Sequence, residues 1–378
     1  MKHVIAVLLV CALAAGCSQA IKENPVAKVK RDGAKVWIDD VPELGWGKGR
    51  ECTYAGALSA ALAVTAHPVP YDDIMGLSGL AFRVRWQISA TEPGQRLWCP
   101  STPVGEFPEE LAATQERTGW RLFTEGRMDR EQDPHMEDFA PAIRAAVDAG
   151  WPVAAYPTPS NLNVGVIYGY QDAGKTWLVR DYFAQDGTTP VPIEKLGPMV
   201  FIPREFRPTM PRRQALIGCL KMAVANWSRG KGPDKEGKYL YGKPALEQWM
   251  RDIALADDPA AKLDAKERES LFFVGWWNFS QWADARAAAE RFLVRAGEDL
   301  GGDAQAALKR AADRYRQEAE LLGSCFGRQD AFLGPWTGKK IDDWTPDVRQ
   351  REREVLAEAV RHEAAAIAEI EKALRPLR

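Results

Sequence analysis

The sequence predicts an α+β domain over residues 35–207 followed by an all-α domain over residues 208–378. Two observations carry this division. Up to about residue 203, short runs rich in β-branched and aromatic residues alternate with helical stretches and Gly/Pro turns, as at Lys35–Ile38, Val153–Tyr156 and Val164–Tyr170. From Pro211 onward the segments 213–227, 241–256, 267–297, 303–322 and 346–374 all carry helical spacing, with Gly, Pro and Asp between them. The chain has 378 residues, enough for two domains of ordinary size. Its 50 basic and 52 acidic residues nearly cancel, which argues against a nucleic-acid partner. Fourteen Trp point to large cores or to an aromatic-lined cleft suited to a peptide or glycan ligand.

The N-terminus opens with Met1-Lys2-His3 and an apolar, small-residue run from Val4 to Ala15. A basic start, a short apolar core and small residues at its end make a secretory signal. The run is shorter than the ~20 residues that span a bilayer. It ends in Leu13-Ala14-Ala15-Gly16-Cys17, which resembles the lipobox of bacterial lipoproteins. That resemblance implies a signal segment over residues 1–17, lipidation of Cys17 and a membrane as partner through the lipid anchor. Each buried acyl methylene contributes about 0.8 kcal/mol, so two or three chains hold a folded domain firmly. Ser18, rather than Asp, follows the Cys, which suits a site in the bacterial cell envelope, facing the periplasm or at the outer membrane. An ordinary signal peptide cut nearby is the alternative. Residues 18–34, charged and poor in apolar side chains, form a tether.

Along the folded part, Lys35–Ile38 is a strand, and Gly45, Gly47 and Gly49 make a loop that ends at Cys52. Cys52–Ala66 reads as a buried helix with Thr53 as N-cap, broken by Pro68 and Pro70. Tyr71–Met75 starts another turn, and Leu80–Trp86 is a strand. Pro108–Gly119 and Asp138–Gly150 are helical, and Gly150–Tyr156 returns as a strand. Val164–Tyr170 and Trp177–Asp181 form a hairpin around Gln171–Gly174, and Val200–Ile202 closes the mixed region. In the all-α part, Trp276, Trp277, Phe279 and Trp282 recur at helical spacing and read as core. The last helix sets Arg353, Glu354, Glu358, Arg361, Glu363 and Glu369 on a solvated face, opposite Val355, Ala359, Ile367 and Ile370.

Two blocks of this region together resemble the papain-like fold. One is Cys52-Thr53-Tyr54-Ala55-Gly56-Ala57-Leu58, similar to the segment in which a papain-like nucleophile opens the central helix. The other is Gly150-Trp151-Pro152-Val153, then Asn163 to Asp172, then Val179-Arg180-Asp181, similar to the strands of double-glycine-type cysteine peptidases. With Gly76 to Phe82 added, residues 36–203 resemble the N-terminal domain of the butirosin biosynthesis protein H family of papain-like acyltransferases. The resemblance implies a central helix packed on an antiparallel sheet. It also implies a thiol nucleophile activated by a helix N-terminus, a neighbouring His as base and an Asn or Asp that orients it. Position by position, Cys52 matches the nucleophile and Asp181 the orienting carboxylate. The His position falls on Asn163, which has no titratable group near neutral pH. The Gln expected shortly before the nucleophile is replaced by Trp46.

Beyond the signal, His occurs only at positions 67, 135 and 362, each of which reads as a surface or helix-end residue. With no H-E-x-x-H, they argue against a zinc site, and no cofactor is implied. Ser78 is not a nucleophile elbow, because Leu80 stands where that motif needs Gly. Cys52 is either a reactive thiol or a structural one, buried or in a disulfide. Cys219 and Cys325, both in Ala/Leu-rich helical stretches, are expected to pair. Two functions follow. One is an envelope lipoprotein whose papain-like domain binds a ligand or partner without catalysis. The other is a cysteine-dependent peptidase or acyltransferase that uses Cys52.

Overall fold

The computed structural model describes residues 22–88, 108–125, 139–156, 163–184, 187–192, 199–232, 238–261 and 263–377. Cys17 with its signal segment, Cys99 and His135 lie outside them. The chain is mixed α+β, with an antiparallel sheet and a helical C-terminal region. Its elements begin with β1 (Val29–Asp32), β2 (Lys35–Ile38), α1 (Thr53–Leu62), α2 (Tyr71–Ser78) and β3 (Arg85–Gln87). Next come α3 (Pro108–Thr118), β4 (Trp120–Glu125), α4 (Ala140–Asp148), β5 (Val153–Tyr156) and β6 (Gly165–Gln171). They continue with β7 (Thr176–Arg180), β8 (Thr189–Pro192), β9 (Met199–Phe206), α5 (Arg212–Ser228), β10 (Gly230–Lys231) and β11 (Tyr239–Tyr241). Four helices close the chain: α6 (Gly242–Leu255), α7 (Ala265–Leu300), α8 (Gly302–Arg328) and α9 (Pro346–Leu374).

Two compact units are formed. The first takes the described residues within Met1–Gly45, Ala57–Pro68 and Arg121–Phe206. Its sheet runs β1-β2-β6-β5-β9-β4, with β7 on β6 and β8 on β7. Strand β6 is the hub: it pairs with β2 at Trp37↔Gly169, with β5 at Val153↔Ile167 and with β7 from Val166 to Gln171. Its residues Gly165–Gly169 are all buried, the pattern of a strand covered on both faces. The register slips between Ile167 and Gly169. A side chain at Gly169 would meet the Val36 carbonyl oxygen at 2.5 Å, so the bulge requires Gly there. Helix α4 packs Ile143, Ala146 and Val147 against this sheet. Part of the expected tether is folded. β1 pairs with β2, and the buried Asn24 amide donates to the Val64 and Gly150 carbonyls at 3.0 and 2.9 Å. A low apolar content gave no sign of these pairings, which use backbone groups and one amide.

The second unit takes Trp46–Gly56, Val69–Trp120 and Arg207–Arg378. A small antiparallel sheet explains why the middle of the chain joins its end, because β3 pairs with β11 at Trp86↔Leu240 and β11 with β10. Trp86 stacks on Trp249 of α6 at 4.7 Å between ring centroids. The expected strand Leu80–Trp86 is only partly extended. Helix α2 runs to Ser78 and ends at Gly79 in the left-handed region, φ +87°, which turns Leu80–Phe82 into a 3₁₀ turn before β3. Gly76 faces the Phe292 ring closely enough that no side chain fits between them.

Helices α7, α8 and α9 form the body of this unit. Asp264 and Glu267 make a capping box at the start of α7, and Thr345 caps α9. Arg286 of α7 is fully buried. Its guanidinium lies on Glu363 of α9 in a short contact, 3.4 Å from Glu318 of α8, and donates to the Ala81 carbonyl at 2.6 Å. Glu363, expected on a solvated face, is therefore 1% exposed. Charge alone does not show that a helix face has a cationic partner. One guanidinium meets two carboxyls here, and burial together with the Glu363 charge drives the Glu318 carboxyl well above its usual range, toward its protonated form. Arg286→Met should therefore cost about 3–5 kcal/mol, since it strands a buried carboxylate. Glu318→Gln, which mimics the protonated acid, should cost less than about 1 kcal/mol. Urea unfolding of the two variants checks this; equal losses would show that both carboxyls are charged.

Candidate functional site

Cys52, rather than Thr53, takes the N-cap of α1: the helix begins at Thr53, and the Cys52 carbonyl accepts its first bond from the Gly56 N–H at 2.9 Å. The Cys52 N–H donates to the Tyr71 hydroxyl at 3.1 Å, and that hydroxyl donates in turn to Asp284 Oδ2 in a short bond. Tyr71 opens α2 and Asp284 lies in the middle of α7. The chain entering α1 is thus held by a relay that runs from a helical carboxylate through a phenol to a backbone amide.

Two acids beside this relay are shifted toward neutrality. Asp284, 8% exposed, is pushed up to about 6 by burial, against the opposing hydrogen bond from Tyr71. Glu51 is pushed up to about 7, first by burial and then by the Asp284 charge. The N–H groups of Gly47 and Gly49 counter part of that shift, Gly47 donating to Glu51 Oε1 at 2.7 Å. Both glycines are left-handed, with φ +73° and +69°, which lets the loop turn its amides onto one carboxylate. Acids poised near neutral pH can exchange protons under physiological conditions.

Cys52 also lines a cavity of about 30 Å³, room for about two water molecules. Arg83, Arg85, Asn278, Gln281 and Trp282 share its wall. Arg83 pairs with Glu110 at 3.2 Å, both side chains being 3% exposed. Burial first, and then the like charge of Arg83, lower the Arg85 guanidinium to about 10, so it stays cationic at pH 7. Asn278 donates to the Arg85 carbonyl at 3.2 Å.

The other expected site residues belong to the first unit, whereas Cys52 belongs to the second. Asn163 is buried just before β6. Asp181 is buried at the end of β7, and its Oδ1 accepts the Phe183 N–H at 2.7 Å, which closes a turn. His67 stacks on Phe206 at 3.8 Å, and His362 lies 3.9 Å from Glu358 on α9. The expected Cys219–Cys325 disulfide is absent; both are buried thiols, as is Cys52. Cys219 donates instead to the Leu216 carbonyl at 3.0 Å and Cys325 to Leu321 at 3.6 Å. Helical periodicity set both on buried faces but carried no information on whether those faces meet. Among the described residues no group of His, Cys, Asp and Glu has the arrangement of a metal site. Tyr71, Glu51 and Asp284 escaped the sequence reading because their pairing spans more than 200 residues; the glycines that cradle Glu51 were its only local trace. No family model and no curated protein matches the chain.

The shifted acids give stability a defined pH dependence. In the unfolded chain these groups release their protons near 3.8 and 4.5, but in the native state near 6 and 7. The native state therefore binds more protons across pH 4–7, and stability falls as pH rises through that window. Asp284 alone accounts for about 3 kcal/mol of the fall. Tyr71→Phe leaves the Cys52 N–H and Asp284 Oδ2 without the hydroxyl and should cost about 1–3 kcal/mol. It should also steepen the fall, because Tyr71 lowers the Asp284 value. Urea midpoints at pH 5 and pH 7.5 for both proteins test this; midpoints rising with pH would contradict it.

Proposed function

We propose that this chain is a lipoprotein of the bacterial cell envelope, anchored through Cys17, whose papain-like domain binds a peptide or glycan ligand or a protein partner rather than cleaving one. The observation that carries the non-catalytic part is Asn163. An amide occupies the position at which the resembled family needs its imidazole, and an amide cannot take a proton from a thiol near neutral pH. Two features support the same reading. Asp181, matched to the orienting carboxylate, already accepts a backbone amide in its own turn. The cavity beside the buried Cys52 has room for water-sized groups and not for an acyl chain. The anchor itself rests on the Leu13–Cys17 motif. Among the described residues no helix is long and apolar enough to cross a membrane, so lipid would supply the attachment for this part of the chain.

The second reading, a cysteine-dependent acyl or amide enzyme, draws on one specific observation. Glu51 and Asp284 are acids raised close to neutrality next to Cys52, where an acid–base partner would be wanted. Alkylation separates the two readings. Without a base, Cys52 should react slowly with iodoacetamide at neutral pH. Rapid Cys52-specific labelling of the unaltered protein would instead favour the enzyme. Separately, the native protein should fractionate with membranes and carry acyl chains on Cys17 by mass spectrometry, and Cys17→Ala should release it. A soluble, unacylated native protein would refute the anchor.

A further inference from the structure

The wall of the cavity at Cys52 is chemically mixed. Gln281, 9% exposed, and Trp282, 4% exposed, both line it. Gln281 Oε1 and Trp282 Nε1 are buried polar atoms with no hydrogen-bond partner among the described residues. One is an acceptor and the other a donor. A buried polar atom left unpaired costs about 1–3 kcal/mol, so the cavity is where their partners are to be sought. A simple anion would satisfy Trp282 but not the Gln281 oxygen. The fitting occupant is a neutral group of about two heavy atoms that both donates and accepts, with a sulfur on one side and the cations Arg83 and Arg85 on the wall.

We propose that this cavity admits hydrogen peroxide and that Cys52 is a site of its two-electron oxidation to sulfenic acid. The peroxide hydrogens bond to Gln281 Oε1, and its oxygens accept from Trp282 Nε1 and the arginines. The sulfur attacks as thiolate, the form in which cysteine is nucleophilic. The S–O bond forms as the O–O bond breaks; sulfur is oxidised and the peroxide reduced. The departing hydroxide takes up the proton that the thiol released, leaving Cys52 sulfenic acid and one water. Arg83 and Arg85 line the same cavity, and a cationic wall favours the thiolate and the negative charge that develops on the leaving oxygen. The other two thiols provide a contrast within the same molecule. Burial pushes the Cys219 thiol up to about 12, against the charges of Arg117 and Arg212, and raises Cys325 as well. Neither lines this cavity. The inference is independent of the envelope and ligand-binding reading, since it needs only the geometry around Cys52.

The experiment treats the reduced full chain with hydrogen peroxide for set times, removes the peroxide with catalase, unfolds the chain in urea containing dimedone so that the trap reaches every sulfenic acid, and locates the label by peptide mass spectrometry. Cys52 should label at least about tenfold faster than Cys219 or Cys325. Gln281→Leu and Trp282→Phe should each slow it by about tenfold, the loss of one positioned hydrogen bond. Size supplies a test without any substitution: tert-butyl hydroperoxide, too large for space that holds two waters, should oxidise Cys52 at least about tenfold more slowly than hydrogen peroxide. The proposal is overturned if Cys52 labels no faster than Cys325, if both peroxides act at the same rate, or if the two variants fold and label as the parent does.

Discussion

A guanidinium taken fully out of water costs many kcal/mol unless its charge is answered, and Arg286 is 0% exposed. It is answered by carboxyls from two other helices and by the carbonyl of Ala81, in the 3₁₀ turn after α2. Four separate segments therefore have to arrive at one point together. Apolar packing alone would tolerate sliding along the three long helices, because Ala and Leu side chains meet comparably well at neighbouring registers. An Arg that must find Glu318 and Glu363 allows one register. The same helix that carries Arg286 carries Asp284 two residues earlier, and Trp282 and Gln281 two and three residues before that. Fixing α7 thus also sets the relay to Tyr71 and the wall of the Cys52 cavity.

Further charge pairs reinforce the junction of α2 with α7 near the surface. Arg291 grips Asp72 through two bonds of 3.0 and 2.8 Å, and Arg295 reaches Asp73 at 2.9 Å. These pairs are partly solvated, and each contributes modestly. Their position matters more than their strength, since they hold α2 by its first turn, where Asp72 and Asp73 also complement the helix dipole. Gly76 against Phe292 supplies the apolar half of the same contact. Tyr71, on the same turn of α2, is presented to Asp284 and to the Cys52 amide at once.

Local signals in the sequence were informative wherever a segment decides its own structure. The hairpin β6–β7 was legible because Val164–Tyr170 and Trp177–Arg180 flank a turn that Asp172 and Gly174 close, both at positive φ. The C-terminal helices were legible from spacing, although α8 continues six residues past the expected end at Leu322. Partnership at a distance was not legible. Trp86 pairs with Leu240, Arg286 with Glu363 and Tyr71 with Asp284, and nothing local marks either member of these pairs. The Cys52 block was found through its likeness to a helix that opens on a nucleophile. The wall of the cavity at Cys52 is contributed by residues 75–85, which lie inside the resembled region, and by residues 249–285, which lie beyond it.

These partnerships alter how the chemistry of Cys52 should be understood. In the resembled family an imidazole would set the state of the thiol, and here the matching position carries an amide. The polar environment of Cys52 instead consists of groups whose own protonation burial has already displaced. Asp284 and Glu51 are raised because water is excluded, and Arg85 is lowered for the same reason and by Arg83 beside it. Exclusion of water acts on acids and bases in opposite directions, bringing all of them closer to neutral. The cavity at Cys52 is also small, about 30 Å³, so size as well as charge governs what reaches the thiol. A buried thiol of this kind differs from Cys219, which has Arg117 and Arg212 nearby but does not line this cavity, in sharing a cavity wall with Gln281 and Trp282.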